Sequence, residues 1–157
     1  MKIEFCVTSI EGAVAAEQFK ADRIELCSRL DLDGLTPSLN LIQQCRSAYK
    51  GEIHIMIRPE DGPFICNDSM LNKMQDSVVK SAELGINGIV FGLLTNKNEV
   101  NLKATALLVE MAKRYHLETT FHRAFDYLTD PIVSVKQLHD LGINRILCSG
   151  SNTNVEK

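Results

Sequence analysis

One nine-residue phrase occurs twice in this chain, and its recurrence constrains the fold more than any other feature. Leu84-Gly85-Ile86-Asn87-Gly88-Ile89-Val90-Phe91-Gly92 is matched by Leu141-Gly142-Ile143-Asn144-Arg145-Ile146-Leu147-Cys148-Ser149, and more loosely by Phe19-Lys20-Ala21-Asp22-Arg23-Ile24-Glu25-Leu26-Cys27. Each copy leads from the end of a helical pattern into an alternating apolar run, which reads as a strand. The spacing is about two strand–helix units each time. That is the repeat of a pseudo-symmetric (β/α)8 barrel in which alternate strands play equivalent roles.

Periodicity elsewhere agrees. Strand candidates fall at 2–7, 23–27, 53–58, 88–92, 118–123 and 145–149, with helix patterns between them. Start signals mark the helices: Ser9 before Ile10–Phe19, Thr36 with Pro37 at the first helical position before the run to Tyr49, and Asp130 with Pro131 before the run to Leu141. Asn67 or Asp68 opens a run to Leu84, and Asn101 one to about Tyr115. Six strands alternating with five helices predict a parallel sheet covered by helices. A doubly wound open sheet competes, but no Gly-rich phosphate fingerprint follows the first strand to favour it.

A complete barrel of this type takes at least about 200 residues, and a chain of 157 supplies six strands of the eight. The expectation is an α/β fold, a single (β/α)8 TIM-type barrel domain over residues 1–157, truncated to about six strands with its C-terminal part missing. Coverage of the open edges by another chain is the alternative, because bare strand edges invite association. No Gly-, Ser- or Pro-rich stretch reads as a domain linker.

The repeats fix a register. Ile24, Leu26, Ile89, Phe91, Ile146 and Cys148 are expected to face the helices, while Arg23, Glu25, Cys27, Gly88, Val90, Gly92, Arg145, Leu147 and Ser149 face inward. Applied to the other strands, the same alternation sends Glu4, Cys6, His54, Met56, Arg58 and His122 inward and leaves Arg123 at the rim. Ile3-Glu4-Phe5-Cys6 parallels Ile24-Glu25-Leu26-Cys27, so Cys6 and Cys27 meet at matching ends of neighbouring strands. Such a thiol pair can hold a soft metal ion.

Charge and cysteine usage narrow the partner. A formal net charge of −3 with interleaved signs argues against nucleic acid or an anionic membrane surface. No secretion signal or membrane-length apolar run is visible, so the cytoplasm is the expected location. Five cysteines, odd in number and without a C-x-x-C, do not read as a disulfide framework or a structural zinc site. Cys45 and Cys66 read as helix or loop residues, and His116 and His139 as solvated helix residues.

Ala21–Ser28, Gly34-Leu35-Thr36-Pro37-Ser38, Met56-Ile57-Arg58-Pro59, Gly88–Gly92, Phe121-His122-Arg123-Ala124-Phe125-Asp126 and Ile146–Gly150 resemble, in order and spacing, the CutC copper-homeostasis family. The resemblance implies a (β/α)8 barrel, a cytosolic location, dimerisation and an association with copper. Two places depart from the pattern: Asp33 stands where a second Gly is common, and 58–64 lack the usual basic, double-Gly loop.

Two chemistries follow. In the first, Cu(I) is bound by Cys6 and Cys27, with Met56 or His54 as a third donor, since Cu(I) prefers thiolate and thioether ligands. Small buried cysteines filling barrel layers are the plainer explanation of the same residues. In the second, the rim acts as an active site for a lyase, aldolase or epimerase. Arg58 and Arg123 would clamp a small anionic molecule, His122 would move a proton and Asp126 would orient it. No lysine lies on an inward strand position, which disfavours a Schiff base. Glu4 and Arg23 read more simply as a buried ion pair.

Overall fold

A computed structural model describes residues 2–150. Six strands, β1 (Glu4–Val7), β2 (Arg23–Leu26), β3 (Glu52–Met56), β4 (Gly88–Phe91), β5 (Glu118–Phe121) and β6 (Arg145–Ile146), alternate with five helices. These are α1 (Ile10–Gln18), α2 (Leu39–Ala48), α3 (Asp68–Ala82), α4 (Leu102–Arg114) and α5 (Pro131–Leu141). All neighbouring strands are parallel, and their order in the sheet is their order in the chain. A doubly wound sheet reverses direction partway, so this sequential order excludes it. Consecutive helices pack on one another along one face, and the sheet curls away from them as a half-barrel. The segment after Gly150, where the strand–helix pattern calls for a loop or a sixth helix, lies outside the described residues.

The repeated phrase has one mechanical job in all three copies. The Asn87 carboxamide oxygen accepts from Ile53 N–H at 2.9 Å, while Asn87 N–H donates to Ile53 C=O at 2.8 Å. Asn144 makes the same two-way clasp on Thr119, at 2.8 and 3.1 Å. Asp22, at the equivalent position of the looser copy, clasps Ile3 at 2.7 and 3.0 Å. Each clasp ties the entrance of an even-numbered strand to the strand before it. Two residues earlier the chain turns through the left-handed region, at Gly85 (φ 74°), Gly142 (φ 90°) and Lys20 (φ 54°). Glycine holds that conformation without Cβ strain, and lysine does not.

Apolar alternation then sorts the two faces. Ile24, Leu26, Ile53, Ile55, Ile57, Ile89 and Phe91 are fully buried between sheet and helices. A second cluster, around Phe121, Phe125 and Leu138, closes the β5–α5 side. On the concave face the apolar content is small: Cys27, Met56 and Val90 form their own buried group. Two glycines of β4 shape that face. A Cβ on Gly88 would lie 2.5 Å from the His54 ring, and one on Gly92 would lie 2.5 Å from that of His122. Small residues on β4 therefore make room for both inward imidazoles.

Several boundaries differ from expectation for local reasons. Helix α2 starts at Leu39 with Ser38 as its cap, accepting from Leu41 N–H, because Thr36 is engaged elsewhere: its hydroxyl accepts from Arg58 N–H at 2.8 Å. The last strand stops at Ile146, so Cys148 leaves the alternation and is exposed beside Asp126 rather than facing the helices. The third strand ends at Met56, which frees Arg58 for loop contacts. Two 3-10 turns also form, 30–32 in an expected loop and 123–127 where the expected 118–123 strand gives way after Phe121.

The clasp predicts a specific substitution pattern. Asn87→Ala leaves the buried Ile53 N–H without an acceptor and should lower the unfolding free energy by about 1–3 kcal/mol. Asn87→Asp, which copies Asp22, should restore most of it. Urea denaturation of the three proteins measures both effects.

Candidate functional site

The concave face carries two polar layers. The lower one crosses the sheet as alternating charge. Glu4 on β1 pairs with Arg23 on β2, whose Nη1 lies 3.9 Å from Glu52 on β3. Arg145 on β6 binds Glu118 on β5 at 2.6 Å and reaches His54 Nδ1 at 3.1 Å. Burial first and Arg145 second depress the His54 pKa to about 3, so the ring is neutral and Arg145 donates to it. Glu52, His54 and Glu118 bring three donor atoms within 4.8 Å of one another, the one such cluster among the described residues. Arginines and Lys2 stand among these donors and neutralise the carboxylates.

The upper layer holds the thiols. Cys6 Sγ lies 3.9 Å from Cys27 Sγ; Cys27 is buried and Cys6 opens to the concavity. Donation from the Cys27 thiol stabilises the Cys6 thiolate and lowers its pKa to about 7, while the same bond and burial push Cys27 far upward. Met56 belongs to the buried group that contains Cys27, and it lines the cavity alongside Cys6. His54 does not join them. Although His54 is in register with Cys6 through Glu25, its ring is taken by Arg145 of the lower layer. The four side chains expected in one ligand set are thus divided, with Cys6, Cys27 and Met56 on one side and His54 on the other.

Beside the thiols lies a cavity of about 450 Å³ on the concave face, lined by residues from Glu4 at the start of β1 to Leu147 after β6. His122 lines it from the end of β5 and is almost fully buried. Its Nδ1 accepts from Ala124 N–H at 3.1 Å, which puts the proton of the neutral ring on Nε2. Burial, with the Arg58 charge behind it, lowers the pKa to about 3. Glu25 lines the same cavity. Desolvation above all, then the Cys6 and Glu4 charges, raises its pKa to about 7 against the opposing pull of Arg23.

The other rim residues are engaged locally. Arg58 Nη1 donates to the carbonyls of Leu32 (2.6 Å) and Gly34 (3.2 Å), and Nη2 to Asp61 (3.2 Å) and the Gly62 carbonyl (2.9 Å). Its guanidinium also lies over the Phe64 ring, 5.1 Å from the centroid. Arg58 thus brackets two loops. Arg123 pairs with Asp126 at 3.2 Å, and Asp126 also accepts from Ser149 N–H and Oγ at 3.1 and 2.7 Å. Asp126 fastens the segment after β6 to the 123–127 turn, and its hydrogen bonds do not run to His122. The sequence placed Glu25 inward without assigning it a role and assigned none to Phe64 or Tyr127, and all three line the cavity. Inward alternation was the signal for Glu25; nothing in the sequence alone marked the two aromatics.

The model described as the CutC family matches residues 1–157. The chain belongs to the CutC family. It is 44% identical over 150 residues to a family protein CutC of Glaesserella parasuis, covering 96% of this chain and 61% of that one. Against the human copper homeostasis protein cutC homolog the identity is 37%, covering 96% and 55%. The crystal structure of a protein described as a copper homeostasis CutC from Streptococcus agalactiae superposes with a TM-score of 0.89 at 31% identity, covering 98% of this chain and 75% of that one. The chain spans about six-tenths of the length of the curated relatives it matches. No helix among the described residues is long and apolar enough to cross a membrane.

The neutral histidines give this CutC chain a defined acid response. Each has a folded pKa of about 3 against an ordinary value of 6.5, so the unfolded chain binds the extra proton. The stability that each contributes is complete above pH 6.5 and is lost as pH falls toward 3, at up to about 1.4 kcal/mol per pH unit. His122→Asn, which keeps an acceptor for Ala124 N–H, should flatten the stability profile by about one proton between pH 4 and 6. Urea titrations across that range report the slope.

Proposed function

We propose that this chain binds Cu(I) as cargo through Cys6 and Cys27, with Met56 as a neighbouring thioether, in the service of copper homeostasis. The observation that carries the reading is the 3.9 Å separation of the two sulfurs, with Cys6 lining an open cavity and Cys27 buried behind it. Two metal–thiolate bonds of about 2.3 Å each, the length known for zinc, span that gap when bent at the metal. Soft sulfur donors with no nitrogen or oxygen ligand between them suit Cu(I) over harder ions. The lowered Cys6 pKa supplies a thiolate near neutral pH.

Register also argues for metal binding over a disulfide. Cys6 stands opposite Glu25, two residues before Cys27. Strands about 4.8 Å apart with a rise of about 3.3 Å per residue put such a diagonal pair about 8 Å apart at Cα. A disulfide accepts about 7 Å at most without backbone movement. The thiols can therefore share an ion more easily than a bond. Copper in the printed names of the human and Streptococcus agalactiae relatives supports the same reading.

An enzyme acting on a small anion at the rim has less support, since Arg58 and Arg123 both face carboxylate partners within the chain. Cytoplasmic location and a homodimer remain part of the proposal through the family alone. Anaerobic Cu(I) titration against a competing chelator tests the thiol site. One ion per chain, lost in Cys6→Ser/Cys27→Ser and weakened in Met56→Leu, is the expected result. Binding unchanged in the double variant would reduce the cysteines to packing.

A further inference from the structure

A volume of about 450 Å³ is far more than a metal ion fills, and its walls are built for something larger. Glu25 is only 7% exposed, yet no hydrogen bond or ion pair joins its carboxyl to another described residue, and it lines the cavity. Arg23, whose charge it feels, is already paired with Glu4. The carboxyl opens onto the cavity rather than being sealed, so a ligand's O–H can take the place of water there. Across the cavity His122 offers the opposite polarity. Its Nδ1–Cε1 edge packs over Gly92, and Nδ1 is taken by Ala124 N–H, so Nε2–H is the polar group left for a ligand.

Complementarity then selects the occupant. Among the described residues an anion meets the Glu25 and Asp33 carboxyls, while Arg123 is paired with Asp126 and Arg58 is held by Asp61 and three carbonyls. A simple amine has no acceptor for the His122 N–H. Hydroxyl groups donate and accept at once. Phe64 and Tyr127, with ring centroids 5.7 Å apart, give an aromatic wall against which the C–H face of a polyol can lie.

We propose that the cavity binds a small, uncharged, hydroxyl-rich organic molecule of about monosaccharide size, with Glu25 accepting from its hydroxyls and His122 Nε2–H donating to an oxygen. This goes beyond the thiol site and does not depend on it. Saturation-transfer NMR on the chain tests the site with erythritol and ribose as probes, glycerate as the matched anion and putrescine as the amine. The polyols should show transfer, weakened by about tenfold or more in Glu25→Ala and in His122→Phe. Circular dichroism checks that each variant folds, and Glu25→Gln, which keeps the side-chain shape but inverts part of its hydrogen bonding, should weaken binding as well. Transfer to glycerate or putrescine equal to that of the polyols, no transfer to either polyol at high millimolar concentration, or polyol binding indifferent to the Glu25 variants would each overturn the assignment.

Discussion

The two-way clasp between a carboxamide or carboxylate and the preceding strand is the interaction on which the rest of this structure rests. A parallel sheet has no hairpins to set its register, because each strand returns only after a helix. A slip of one residue would exchange the inward and outward faces. Asp22, Asn87 and Asn144 prevent that slip at the entrance of every second strand by satisfying both backbone groups of one residue on the previous strand. With the register pinned, isoleucines reach the helix-facing core, and cysteines, histidines and charges reach the concavity.

That concavity is polar because it is layered. The lower layer spends its charges on one another, so Glu4, Arg23, Glu52, Glu118 and Arg145 neutralise across the strands with a neutral His54 among them. Such a network holds its charges at the N-terminal part of the concave face without offering a soft ligand. The upper layer turns other groups to the cavity: a thiol of the Cys6–Cys27 pair, the Glu25 carboxyl, which has no hydrogen-bond partner among the described residues, and the His122 ring. Functional groups in barrels of this class gather at the C-terminal strand ends, and the division between the two layers follows that rule. Gly88 and Gly92 serve the two layers in turn, since each yields the space its imidazole fills.

Much of the fold was legible in the chain. The strand–helix alternation, the caps Ser9, Asn67, Asn101 and Asp130, and the inward placement of Glu25, Cys27, Met56 and His122 all follow from periodicity and hydrogen-bonding chemistry. The start of α2 was misplaced because Thr36 and Ser38 are equally good caps locally. Only the approach of Arg58 N–H, from a distant loop, removes Thr36 from the competition. Arg58 itself looked like an anion clamp because a strand-end arginine is one until loop carbonyls occupy it.

By itself the sequence determined the order of elements, the barrel-type repeat and which side chains share a face, because these depend on local periods of 2 and 3.6 residues. Tertiary structure decided which of those neighbours meet. Cys6 reaches Cys27 while His54, on the same face and in register with Cys6 through Glu25, is drawn to Arg145, because which side chain comes within reach across the curled sheet is not set by sequence alternation. It also decided which charges are free. Pairing energies depend on distance and burial, and those exist only once strands far apart in the chain stand side by side.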